Sequence, residues 1–159
     1  MDRPRVTVTV APLAGFCFGV RRADEMVRRL VDEDSAPVYT YGELIHNSDY
    51  IRALADKGIS SIERVDDVDA EKREQSICVI RTHGVAAETE KEICASFGRV
   101  VDATCPFVKK IHKIVAENSA PDVDTIIIGR EGHPEVVGIR SYVRGDVNVF
   151  EDPEQIKCY

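Results

Sequence analysis

Arg99-Val100-Val101-Asp102-Ala103-Thr104-Cys105-Pro106-Phe107-Val108 contains one whole structural unit. Residues 99–101 read as a strand, and residues 102–105 as a loop. Pro106 suits the first position of a helix, where a missing N–H costs nothing. Val108, Ile111, Ile114 and Val115 then recur at helical spacing. The same order of strand, loop and helix lies on both sides of this stretch. Upstream, Val6-Thr7-Val8-Thr9-Val10 alternates as a strand over residues 5–11. The turn Gly15-Phe16-Cys17-Phe18-Gly19 follows, and then a helix marked by Val20, Ala23, Val27, Leu30 and Val31. Residues 38–41 lead through His46-Asn47 into a helix over 48–57 that stops at Gly58. Residues 76–80 lead through Arg81-Thr82-His83-Gly84 into a helix over 87–97. Downstream, residues 124–128 lead through His133-Pro134-Glu135 into a shorter apolar stretch from Val136. Units of this length in alternation predict an α/β fold with a mainly parallel sheet.

The acidic residues 63–74 read as a solvated connection, and residues 118–124 as a boundary loop. Residues 146–150 form a last strand before Glu151-Asp152-Pro153, a helix start with six residues after it. The expected division is a first α/β lobe over residues 1–98 and an incomplete second lobe over 99–159.

Composition narrows the function. The 159 residues carry 21 Lys+Arg against 28 Asp+Glu, a net charge of −7, which argues against a general nucleic-acid binder. Hydrophobic residues at 43% and charged residues at 31% are those of a globular chain. No apolar run approaches the roughly 20 residues of a membrane span, so no membrane association is expected. Leu13-Ala14-Gly15 ahead of Cys17 approaches a lipoprotein cleavage box. Phe16 interrupts it, and the alternation before it is unlike a signal peptide. Five cysteines, an odd number, read as free thiols or metal ligands in reducing cytoplasm.

Cys17, Cys105, His46, His83 and His133 share one address, just after a predicted strand, where parallel α/β sheets bind ligands. Cys17 and Cys105 each precede a helix start, whose dipole and free amides favour the thiolate that ligates iron or attacks an electrophile. A cysteine in a tight turn is equally a small buried hydrophobe. Zinc fits poorly, since no Cys-x-x-Cys or Cys-x-x-His pair exists. The histidines form a candidate anion-binding set, because imidazole N–H groups donate to phosphate oxygens. Glu135 is a candidate acid/base group, or a first-turn carboxylate complementing a helix dipole. Cys78 in an apolar strand, Cys94 on a helix and His112 after Ile111 read as core packing or helix surface.

Five motifs in order carry a family resemblance: Ala14-Gly15-Phe16-Cys17-Phe18-Gly19-Val20, Leu44-Ile45-His46-Asn47, Arg81-Thr82-His83-Gly84-Val85, Asp102-Ala103-Thr104-Cys105-Pro106 and Gly132-His133-Pro134-Glu135-Val136. The set resembles the 4-hydroxy-3-methylbut-2-enyl diphosphate reductases (LytB/IspH family) of the non-mevalonate isoprenoid pathway. The resemblance implies three α/β lobes around a 4Fe-4S cluster. Cys17 and Cys105 match two of its three cysteine ligands. His46, His83 and His133 match the histidines around the substrate diphosphate, and Glu135 matches the carboxylate that delivers a proton. It also implies a flavodoxin- or ferredoxin-type electron donor. In the family reaction the allylic hydroxyl binds the open iron, and two electrons and protons remove water to leave isopentenyl or dimethylallyl diphosphate.

Family members are longer, and their third cysteine, a threonine and serine/asparagine groups lie beyond residue 159. Cys158-Tyr159 resembles the third cysteine and its following aromatic only superficially. The chain is therefore expected to lack the third lobe and to be inactive alone. The alternatives are a non-catalytic remnant binding a diphosphate or a partner, such as the missing C-terminal part, and a cysteine-nucleophile hydrolase.

Overall fold

Strand β1 (Val38–Tyr41) pairs in parallel with β2 (Ile59–Ile62) on one side and with β3 (Ile77–Ile80) on the other. Strand β4 (Arg99–Asp102) extends the sheet beside β3, giving the order β2-β1-β3-β4. The computed structural model describes residues 6–33 and 35–158, the last through its backbone alone. Helix α1 (Phe18–Glu33) precedes β1, and α2 (Ser48–Ala55) and the short α3 (Ala70–Arg73) flank β2 in sequence. Helix α4 (Ala87–Ser96) connects β3 to β4, and α5 (Pro106–Asn118) follows β4. Strands β5 (Thr125–Ile128) and β6 (Val147–Phe150) pair in parallel as a second sheet, with α6 (Pro134–Arg140) between them in sequence.

All four residues of β3 are buried, which explains why Ile77-Cys78-Val79-Ile80 is continuously apolar. Its side chains alternate between two cores. Ile77 and Val79 join Ala23, Val27 and Leu30 of α1, with Val38, Leu44, Leu54, Ile59 and Ala103. Cys78 and Ile80 join Ile62, Val65, Val68, Val85, Ile93 and Phe97. Burying one such aliphatic side chain contributes roughly 1.5–3 kcal/mol.

Several expectations need correction. Strand β4, assigned from sequence to the second lobe, hydrogen-bonds to β3, so the first sheet crosses the expected boundary at 98/99. Residues 63–74 are more than a connection, because Val65 and Val68 plug the second core and α3 lies within them. Strand β2 was not anticipated; Ser60 and Ser61 break its apolar pattern, yet it pairs along its whole length with β1. Residues 6–11 form no ladder among the described residues, and Val6, Val8 and Val10 are exposed. Alternation marks a face, whereas a strand also needs a hydrogen-bonding neighbour. Arg5 lies outside the described residues. The helix start at 151–153 becomes a 3₁₀ turn over Pro153–Cys158.

Helix α5 is also turned differently. It buries Val108 and His112, while Phe107, Ile111 and Ile114 are exposed. No helix of the described residues is long and apolar enough to cross a membrane.

Candidate active site

The loops after β1, β3 and β4 are tied to one another at the C-terminal end of the first sheet. The Thr82 hydroxyl is buried and donates to the Leu44 carbonyl at 2.9 Å, joining the His83 loop to the His46 loop. The Cys105 amide donates to the Thr82 carbonyl at 2.9 Å, and the Ala103 amide to the Ile80 carbonyl at 3.1 Å. Asp102 accepts from the Thr104 amide at 2.8 Å and pairs with Lys109, closing the turn that presents Cys105. Burial would push the Asp102 carboxyl up, but hydrogen bonds from Lys109 and Thr104 outweigh it and hold the group below its ordinary value.

Helix α1 approaches from below this rim. Arg22 reaches across to the Thr104 carbonyl at 3.3 Å. A Cβ placed on Gly19 would lie 2.7 Å from Cys105 Sγ, so only glycine lets the helix come this close. The Cys105 thiol therefore rests against the first turn of the helix that Cys17 begins, where the Cys17 carbonyl accepts from the Arg21 amide at 2.9 Å. Cys17 is exposed and Cys105 half-buried, and both are free thiols. Cys78 is a core residue whose thiol burial pushes up to about 12, with the neighbouring Cys94 adding to the shift. Its chemistry is suppressed, in keeping with the packing role read from its strand.

The histidines converge. His46 and His83 stack with ring centroids 5.3 Å apart and planes 23° from parallel. Gly84 turns the chain after His83 with φ 73°, its amide bonded back to the Arg81 carbonyl at 3.0 Å. Burial lowers the His83 pKa below 6.5; the Glu135 charge opposes this, while His46, Arg81 and His133 add to it. Four other site groups thus share one electrostatic field around His83, and among the described residues its buried Nδ1 has no hydrogen-bond partner. His133 caps α6, its Nδ1 accepting from the Glu135 amide at 3.3 Å. With Nδ1 accepting, Nε2–H is the ring's donor. His46 Nδ1 lies 3.3 Å from Glu43 Oε2 and donates to that carboxylate, the reverse of the role His133 Nδ1 plays.

His46, His83 and Cys105 stand in the loops at this rim, and His133 and Glu135, which follow β5 of the second sheet, act on His83 from beside it. The expectation that Cys17 follows a strand is not met, since residues 6–17 form none among the described residues. Arg81, the Asp102–Lys109 pair and His112 lie there too. None of the four is a candidate site residue from sequence, where His112 reads as core packing or helix surface; in the structure Gly84 and Gly138 crowd its ring.

The LytB protein family model matches residues 8–159. The chain belongs to the LytB family. A Clostridioides difficile protein named 4-hydroxy-3-methylbut-2-enyl diphosphate reductase is 34% identical over 152 residues, which are 96% of this chain and 53% of that protein. A solved structure of (E)-4-hydroxy-3-methyl-but-2-enyl diphosphate reductase, described as the terminal enzyme of the non-mevalonate pathway, superposes with TM-score 0.78 at 34% identity. It covers 94% of this chain and 52% of the other. The Plasmodium falciparum reductase structure superposes with TM-score 0.80 at 27% identity, covering 93% and 45%. The chain spans about half the length of the curated relatives it matches.

The fit of a LytB-type iron–sulfur cluster to these residues is partial. Gly19 lets the helix that Cys17 precedes approach Cys105 closely, and thiols are suitable ligands for iron. Among the described residues, no group of three His, Cys, Asp or Glu side chains closes around one point. The side chain of Cys158 and all of Tyr159 lie outside the described residues.

Proposed function

We propose that this LytB chain carries the diphosphate-holding and proton-delivering side of a 4-hydroxy-3-methylbut-2-enyl diphosphate reductase, together with two of its cluster ligands. The observation that carries the reading is the stacked His46–His83 pair in one electrostatic field with His133 and Glu135. Imidazole N–H groups at a common rim donate to diphosphate oxygens, and hydrogen bonds to an ionised acceptor are the strong ones. The guanidinium of Arg81 adds positive potential to the same place. In this reading Glu135, half-buried at the start of α6, passes a proton to the departing hydroxyl and then to the allylic carbon. The balance is one C–O bond broken, one C–H bond formed, two electrons and two protons consumed, and one water released. Cys17 and Cys105 would hold a 4Fe-4S cluster, which supplies the electrons delivered by a flavodoxin- or ferredoxin-type carrier.

The test has two arms. Calorimetric titration of the 159-residue chain with inorganic pyrophosphate is expected to show one saturable site, lost when His46 and His83 are both changed to Phe. A fusion of this chain to the C-terminal half of the Clostridioides difficile relative, reconstituted anaerobically, is expected to reduce the allylic diphosphate. Absence of pyrophosphate binding and of turnover in both arms would overturn the proposal.

A further inference from the structure

His112 lies on the buried face of α5 and is 6% exposed. Its ring face stacks on Tyr142, with centroids 4.5 Å apart and planes 22° from parallel. The Tyr142 hydroxyl in turn donates to Glu90 of α4 at 3.1 Å. One edge of the ring meets backbone on both sides. A Cβ on Gly84 would lie 3.1 Å from His112 Cε1, and a Cβ on Gly138 would lie 3.2 Å from Nε2. Side chains at those two positions would force the ring to move, so the two glycines and the imidazole form one fitted set.

The two flanking positions are not arbitrary. Gly84 directly follows His83, and Gly138 lies one turn along α6 from Glu135. Among the described residues the buried Nε2 has no hydrogen-bond partner. The ring therefore acts through its shape and not through a bond from that nitrogen. Its charged surroundings are Glu90 of α4, Asp102 of β4, Glu135 of α6 and Lys109 of its own helix.

We propose that His112 is a positioning residue: its ring edge, seated between Gly84 and Gly138, sets the separation of the His83 loop from the helix that Glu135 begins. The proposal rests on reading His83 and Glu135 as parts of one diphosphate and proton site. It adds a residue outside the five motifs, one that acts through its neighbours. The spacer is worth having because a displacement of about 1 Å in binding or catalytic groups costs up to 10²-fold.

The test reads the spacing itself. In the 159-residue chain, the titration of His83 is followed by imidazole nitrogen NMR. Glu135→Gln removes a charge that raises the His83 pKa, so His83 is expected to titrate lower in that variant. In a His112→Ala background the same substitution is expected to move His83 by less than about half as much. In a His112→Phe background, which keeps a ring between the glycines, it is expected to act as in the unmodified chain. Gly138→Ala pushes the ring from the other side, and is expected to change the coupling even if His112→Ala fails to fold. A coupling unchanged in His112→Ala, or in Gly138→Ala where His112→Ala does not fold, overturns the proposal, as does a coupling lost equally with Ala and Phe. Pyrophosphate affinity, measured in parallel, is expected to fall about tenfold with Ala and to stay within about twofold with Phe. If the unmodified chain binds no pyrophosphate, the diphosphate reading fails, while the coupling measurement still decides the role of His112.

Discussion

The imidazoles of His46 and His83 stack at 5.3 Å, although 36 residues of chain and a whole helix–strand passage separate them. The buried Thr82 hydroxyl fixes that relationship by bonding to the Leu44 carbonyl, so each loop positions the other's histidine. Burial holds the His83 pKa below its ordinary value, and the neighbouring His46 adds to that shift. A dianionic ligand reverses this preference and makes charged imidazoles favourable.

His83→Phe is therefore expected to weaken pyrophosphate binding by roughly ten- to a hundredfold, the effect of one charge-assisted hydrogen bond of about 1.5–3 kcal/mol. Calorimetry on the folded variant checks this. An unchanged dissociation constant would remove His83 from the anion site.

Stability should depend on pH in a defined window. His83 and His112 are both lowered from 6.5, first by burial. Between their lowered values and 6.5 the unfolded chain binds more protons than the folded one. Their contribution is thus complete above 6.5 and is lost as pH falls through that window. Urea midpoints are expected to hold steady down to about pH 6.5 and then to drop, with a smaller drop in His112→Phe. Equal drops in both proteins would show that His112 titrates no differently when folded.

Glu135→Gln keeps the size of the side chain and removes its proton. In the fusion with the Clostridioides difficile half, turnover is expected to fall by roughly 10²–10⁴-fold with binding retained. Assays of rate and of substrate affinity separate the two, and near-normal turnover would assign the proton to another group.

Gly19→Ala would place a Cβ 2.7 Å from the Cys105 sulfur. Relief requires α1 or the Cys105 loop to move, at a cost of about 1–3 kcal/mol. Chemical denaturation is expected to show that loss, and anaerobic iron loading of the fusion should fall with it. Unchanged iron content would mean that the two thiols tolerate separation.

Phe107, Ile111 and Ile114 form an exposed apolar stripe along α5, with Phe18 exposed at the start of α1. Such a stripe favours association. The 159-residue chain is expected to self-associate in sedimentation and to hold no stable cluster alone. The double substitution Ile111→Lys, Ile114→Lys should shift it toward monomer. A monodisperse unmodified chain at high concentration would contradict this.

The sequence by itself determined the order of elements around the site. Strand, loop and helix repeat because apolar runs, loop residues and helical periodicity are all local signals, and His46, His83 and Cys105 follow β1, β3 and β4 because parallel strand ends fall on one rim. Pro106 marked the start of α5 for the same local reason. Only the tertiary structure decided which face of each element is covered. Ile111 and His112 are neighbours in sequence, and apolarity alone assigns the isoleucine to the core. The structure instead exposes Ile111 and buries His112, because Gly84 from the loop after β3, and Gly138 and Tyr142 from α6 and the turn after it, shape a slot that fits an imidazole. Likewise Val6, Val8 and Val10 carry the pattern of a strand without a ladder among the described residues, while Ile59–Ile62 lacks the pattern and pairs fully with β1. Periodicity is a property of one segment; burial and pairing belong to two, and their partners lie too far along the chain for any local pattern to name them.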